Sequence, residues 1–147
     1  ISFIMISNCG FTLQDSTKVK NFSIGKIQTI GEKRINFKLK NKFLIYSNDE
    51  SKKLLNLSFD TKKNKTIKEK NIKNEITKYK IDISVKVKFE TIDKTNSNEF
   101  LISKTGDYAV ASKYSQTLNS EKKLIDLMTN QIADQIFYEL VNRTNDL

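Results

Sequence analysis

The most regular hydrophobic pattern in the chain runs from Tyr79 to Phe89. Tyr79, Ile81, Ile83, Val85, Val87 and Phe89 alternate with Lys78, Lys80, Asp82, Ser84, Lys86 and Lys88. A period of two places the apolar set on one face of a β-strand and the polar set on the other. Such a strand belongs to a sheet with one covered face and one wet face. Leu55, Leu57 and Phe59 repeat the alternation within Lys53–Lys62. Phe22 and Ile24 share a face, but Ile27 is out of phase with them, and Gly25 lies between. A β-bulge at Gly25 accounts for the slip. The Lys- and Asn-rich stretch from Lys62 to Asn74 reads either as an exposed connection or as strand extensions. Asp93 to Asn98 reads as a turn. Phe100 to Ser115 reads as a further long β segment interrupted near Gly106-Asp107, with Tyr108, Val110, Ser112 and Tyr114 on one face.

Two stretches carry the helical period instead. Ile35, Leu39, Phe43 and Tyr46 fall on one face of a helix over Arg34–Tyr46, an ordinary amphipathic core helix. Leu124, Met128, Ile132, Ile136 and Leu140, with the adjacent row Ile125, Ala133, Phe137 and Val141, make a wide apolar stripe near the C-terminus. Asn119 or Ser120 is placed to cap that helix, and Glu121 suits its first turn. The element order is β-α-β-β-β-α. It predicts an α+β two-layer sandwich, a mixed four-stranded sheet with two helices on one face. A chain of 147 residues holds one such core. The expected division is residues 1–8 as the end of a signal peptide, 9–21 as a lipid-anchored tether and 22–147 as a single α+β domain.

Composition narrows the chemistry. The chain has no His, no Pro, no Trp and one Cys. That removes the common zinc sites, the Ser-His-Asp and Cys-His nucleophile systems and any disulfide framework. No Gly-rich phosphate loop is present, and Asp126 and Asp134 stand eight apart, too far for a closely paired carboxylate site. The expectation is a protein that is not an enzyme and has no metal and no cofactor. The net charge of +9 is concentrated between Lys18 and Lys88, where 20 basic residues face 7 acidic ones. A basic segment points to an anionic partner. The bias towards Lys and Asn, with only two Arg, also follows from base composition of the coding DNA alone.

The only Cys ends a short apolar run, Ile1-Ser2-Phe3-Ile4-Met5-Ile6-Ser7-Asn8-Cys9. The run is too short to span a bilayer and reads as the end of a signal-peptide hydrophobic region. Ile6-Ser7-Asn8-Cys9 resembles a bacterial lipobox, with Asn8 where a small residue usually stands. On that resemblance Cys9 is the lipid attachment site. Each buried methylene of an acyl chain adds about 0.8 kcal/mol, so several chains anchor the protein stably. Gly10, rather than an Asp, after the Cys favours outer-membrane sorting.

Three pieces together resemble one family, the lipopolysaccharide-assembly lipoprotein LptE. They are Cys9-Gly10-Phe11, the β segment from Gly106 to Ser115, and the helical segments Lys123–Met128 and Gln131–Ile136. Element order and length agree across nearly the whole chain, while Lys18–Lys73 contains no diagnostic motif. The resemblance implies an outer-membrane lipoprotein on the periplasmic side, partnered with the LptD β-barrel as a plug that assists lipopolysaccharide delivery. Lipopolysaccharide carries phosphates, which Lys binds as a compact point charge. The candidate anionic-lipid contacts are Lys78, Lys80, Lys86 and Lys88 on one strand face, with Lys62, Lys63, Lys65 and Lys68 in an adjoining loop. One alternative is a periplasm-facing outer-membrane lipoprotein with another partner. The other is a basic nucleic-acid-binding module, which the scarcity of Arg and the core-facing aromatics argue against, so no nucleic acid is expected.

Overall fold

The computed structural model describes residues 22–45 and 53–145. Cys9, the lipobox-like run and Tyr46 lie outside the described residues. Four strands and two helices follow the expected order: β1 (Phe22–Gly31), α1 (Lys33–Leu44), β2 (Lys53–Lys70), β3 (Ile76–Thr91), β4 (Ser97–Ala109) and α2 (Tyr114–Asn145). The sheet runs β1-β2-β3-β4. β1 pairs with β2 in parallel, and the other two pairs are antiparallel, so the sheet is mixed. The parallel pair needs a crossover, and α1 supplies it. The architecture is the expected α+β arrangement.

The core lies between one sheet face and the helices. Phe22, Ile24, Leu55, Phe59, Ile81, Val85 and Val87 from the strands meet Leu39, Phe43, Ile132, Ile136 and Leu140 from the helices, all essentially buried. Phe43 and Phe59 pack with ring centroids 5.5 Å apart, tying α1 to the sheet centre. α1 and α2 are also cross-linked by charge. Asp126 takes Lys38 and Arg34, and Asp134 pairs with Lys42 at 3.7 Å. These two acids therefore serve helix–helix contact.

The bulge predicted at Gly25 is present, with the β1–β2 register shifting between Ile24 and Ile27. A Cβ on Gly25 would meet Asn56 Oδ1 at 2.9 Å. Gly31 closes β1 with φ +93, and a Cβ there would lie 1.9 Å from the Thr61 carbonyl oxygen. Only glycine fits that turn. Just beyond it, Asn36 donates to the Ile30 carbonyl at 2.9 Å and accepts from the Thr61 hydroxyl at 2.9 Å. This buried polar knot fixes the entry of α1 onto the sheet.

Three expectations are corrected. Of the two readings of the stretch from Lys62, strand extension holds as far as Lys70, which pairs with Ile76, so Lys62, Lys63, Lys65 and Lys68 lie on the outer half of β2 and not in an adjoining loop. β4 is continuous through Gly106-Asp107. Gly106 leaves room for α2, since a Cβ there would meet Leu124 Cδ1 at 2.8 Å. Finally, the last strand stops at Ala109 and α2 begins at Tyr114, not at Asn119 or Ser120. Alternation of Val110, Ser112 and Tyr114 imitated a strand. The Ala111 amide instead donates to the Thr117 hydroxyl at 2.9 Å and turns the chain into the helix. The buried face then starts about two turns before Leu124, at Thr117.

Candidate functional site

The sheet has two faces with different chemistry. Alternation on β3 sends Lys78, Lys80, Lys86 and Lys88 to the face away from the helices, opposite Ile81, Val85 and Val87. Register brings Lys62 beside Ser84 on that same outer face. Lys68 stands at an irregularity between Ile67 and Glu69 and reaches Asp107, 2.9 Å away, also on the outer face. Six of the eight candidate lysines thus share one surface. Lys78 pairs with Glu69 at 3.3 Å and Lys80 with Asp82 at 3.2 Å. Asp82 also accepts from Thr105, and these two partners, Thr105 first, hold its carboxyl below the usual carboxylate value. Lys62, Lys86 and Lys88 make no ion pair among the described residues and are exposed. Their charge is uncompensated.

Lys63 and Lys65 are on the other side. They occupy the row that continues Phe59 and Thr61 and therefore face the helices. Lys63 pairs with Glu32 at 3.5 Å. Lys65 is the centre of a cluster that sequence reading missed. Its Nζ lies 4.4 Å from the Tyr79 ring centroid and donates to Glu121 Oε2 at 2.7 Å. The Tyr108 hydroxyl donates to the same oxygen at 2.6 Å, and the Tyr79 and Tyr108 rings stack at 5.7 Å. Burial works against the Lys65 charge, but the hydrogen bonds to Glu121 and Tyr108 prevail and hold the ammonium above its ordinary value. Burial likewise opposes ionisation of Glu121, and Lys65 and Tyr108 more than offset it, so the carboxyl is held low. Burial and the Glu121 hydrogen bond push the Tyr108 phenol up. The cluster is a charged clasp between the N-terminal part of α2 and the outer half of β2, with a cation–π contact that adds to it. Lys65 therefore sits beside two aromatics on the helix-facing side of the sheet. The signal was the reversal of pattern on β2, where Lys63 and Lys65 occupy the positions after Phe59 and Thr61 in the core-facing row.

No group of His, Cys, Asp and Glu fit to hold a metal occurs among the described residues. No helix among them is long and apolar enough to cross a membrane.

This arrangement of sheet and helices occurs in solved bacterial structures. Rare lipoprotein B from Shewanella oneidensis matches with a TM-score of 0.59 at 11% identity, over 83% of this chain and 98% of that one. This chain shares its fold. Lipoprotein B from Nitrosomonas europaea, described as uncharacterized, matches with a TM-score of 0.62 at 13% identity, over 92% and 93%. A Caulobacter crescentus protein described as a lipoprotein matches with a TM-score of 0.54 at 12% identity, over 79% and 88%. No protein-family description and no curated protein matches the sequence.

Proposed function

We propose that this chain is a lipoprotein of the LptE type, non-catalytic, anchored through lipid on Cys9 to the periplasmic side of the outer membrane. There it plugs an LptD-type β-barrel and assists lipopolysaccharide assembly. The observation that carries the reading is the fold. A near-full-length likeness to rare lipoprotein B agrees with the Cys-Gly-Phe start and the late strand-helix segment, features that lie at opposite ends of the chain. The polar sheet face supports an anionic-lipid contact. Of the eight lysines, Lys62, Lys86 and Lys88 lead, because their charge is free to meet phosphate. Lys68, Lys78 and Lys80 must first exchange a carboxylate partner, and Lys63 and Lys65 face the helices in ion pairs of their own.

Affinity capture of the full chain from detergent-solubilised membranes tests the reading. A large β-barrel should co-purify, and mass analysis should find acyl chains on Cys9. Capture of acylated chain with a different partner would replace LptD by the second reading, an outer-membrane lipoprotein with another role. Combined replacement of Lys62, Lys86 and Lys88 by Glu should abolish lipopolysaccharide binding. Binding that survives it would refute the lysine contact.

A further inference from the structure

A groove of about 310 Å³ crosses the outer face at the end of the sheet away from the β2–β3 hairpin. Its floor follows from strand register. Gln28, Ser58 and Lys88 form one row across β1, β2 and β3, and in the next row Asn56 stands between the Gly25-Lys26 bulge and Glu90. Neighbouring strands are about 4.8 Å apart and successive same-face residues about 7 Å apart, so Lys26 and Lys88 stand at diagonal corners of one small grid. Glu90 and Gln28 take the other corners, with Asn56 and Ser58 in the middle. Lys94, from the turn after β3, also lines the groove.

The bulge builds this grid. Gly25 and Lys26 together oppose the single residue Asn56, whose Oδ1 accepts from the Lys26 amide at 3.0 Å. A side chain at position 25 would occupy that approach, its Cβ 2.9 Å from Asn56 Oδ1 and 3.3 Å from Leu54 Cγ. Bulges re-aim side chains in this way beside binding sites. Asn56 is oriented by the amide it accepts from, which leaves its own NH₂ to donate elsewhere.

The charges in the groove are unspent. Lys26, Lys88, Lys94 and Glu90 form no ion pair among the described residues, with each other or with anything else. A simple polyanion would satisfy the ammonium groups but would be set against the Glu90 carboxylate, on the same face as Lys88 and two residues on. A ligand that carries both signs uses all four. We propose that the groove binds a phosphate joined to a primary amine by a short link, the phosphoethanolamine arrangement. The phosphate lies over Asn56 and Ser58, between Lys26 and Lys88 and under Lys94, and the amine meets Glu90. The group is offered by an ethanolamine phospholipid headgroup or by a soluble or saccharide-borne phosphoethanolamine.

Titration of the full ¹⁵N-labelled chain with O-phosphoethanolamine, inorganic phosphate and ethanolamine tests the assignment. Phosphoethanolamine should shift the amides of Lys26, Asn56, Ser58 and Lys88 and bind about tenfold tighter than either half alone. Lys88→Gln should weaken binding about fivefold, the scale of one half-exposed charge pair. Glu90→Gln should weaken phosphoethanolamine and leave phosphate unchanged, with thermal unfolding confirming that both variants fold. Equal affinity for phosphate and phosphoethanolamine, tighter binding by Glu90→Gln, or absence of shifts at these residues would overturn the proposal. Vesicles of phosphatidylcholine with and without phosphatidylethanolamine then identify the source. Competition by the ethanolamine vesicles assigns the lipid headgroup, and its absence alongside soluble binding assigns a non-lipid carrier. Both results uphold the group recognised.

Discussion

Replacing Gly31 by Ala is the sharpest test of how β1 is joined to α1. Gly31 has φ +93, where an L-residue with a Cβ pays roughly 1–2 kcal/mol of backbone strain. The added carbon would also sit 1.9 Å from the Thr61 carbonyl oxygen. That oxygen belongs to backbone in the middle of the sheet, held by pairing with Val85 on β3, so no rotamer change relieves the overlap. The strands must part locally, which breaks the hydrogen bond from the Glu32 amide to the same carbonyl, 3.2 Å long. A lost hydrogen bond of this kind costs about 1 kcal/mol. The overlap adds a cost on the scale of an overpacked core, about 1–3 kcal/mol. The expected destabilisation is about 3–6 kcal/mol, a large part of the 5–15 kcal/mol that holds a typical domain folded. Urea unfolding should show the midpoint falling with an unchanged slope. Gly25→Ala is the control. Its Cβ meets a movable Asn56 side chain instead of backbone, so its loss should stay within about 1 kcal/mol. A Gly31→Ala midpoint within error of the unaltered protein would refute the steric reasoning.

The other expectations concern polar contacts. Thr61→Val removes the hydroxyl that donates to Asn36 and should cost about 1–3 kcal/mol in chemical unfolding, with the Asn36→Leu, Thr61→Val pair recovering part of it. Glu121 has its folded-state pKa held below the ordinary 4.5, so its stabilisation is complete above that value and is lost as pH falls through the lower folded value. Glu121→Gln should accordingly flatten the acid limb of the stability profile, and an unchanged limb would remove the clasp from the account. At neutral pH its cost should be about 1 kcal/mol or less, because Lys65 is more than a third exposed and solvent screens the pair. Asp93, at the β3–β4 turn, accepts from the Thr91 hydroxyl and the Thr95 amide and hydroxyl, contacts that lower its pKa from 3.8 to about 2. NMR titration should show the Asp93 carboxyl and the Thr95 amide moving together near pH 2, and a midpoint near 3.8 would deny the turn its carboxylate.

The sheet was readable because its burial is one-sided. On β3, Ile81, Ile83, Val85, Val87 and Phe89 must all reach the core, and alternation records that directly. The bulge at Gly25 was legible for the same reason, as a break in phase. The boundary between β4 and α2 was not, because Val110, Ser112 and Tyr114 alternate while Val110 and Tyr114 are solvent-exposed, so their pattern answers to no core. The site was half legible. Which face Lys78, Lys80, Lys86 and Lys88 share follows from parity alone. The Lys65 cluster joins residues up to 56 positions apart, and no local spacing carries that information. Nor does sequence show which lysines are already neutralised, since Lys68 finds Asp107 only through the pairing of three strands.

The length of β2 has a consequence for how this molecule can change. Its 18 residues extend roughly 60 Å, more than the roughly 48 Å of the 32-residue α2. The strand outruns its cover, and every residue of β2 from Lys62 to Lys70 is exposed. Apart from Lys63 and Lys65, which pair with Glu32 and Glu121, a substitution there touches the ladder but scarcely touches the core, so the arm can be rewritten for a different surface at little expense in folding. Outside the Lys63 and Lys65 ion pairs, the exposed and the core-bearing stretches of this strand can therefore vary with little effect on each other.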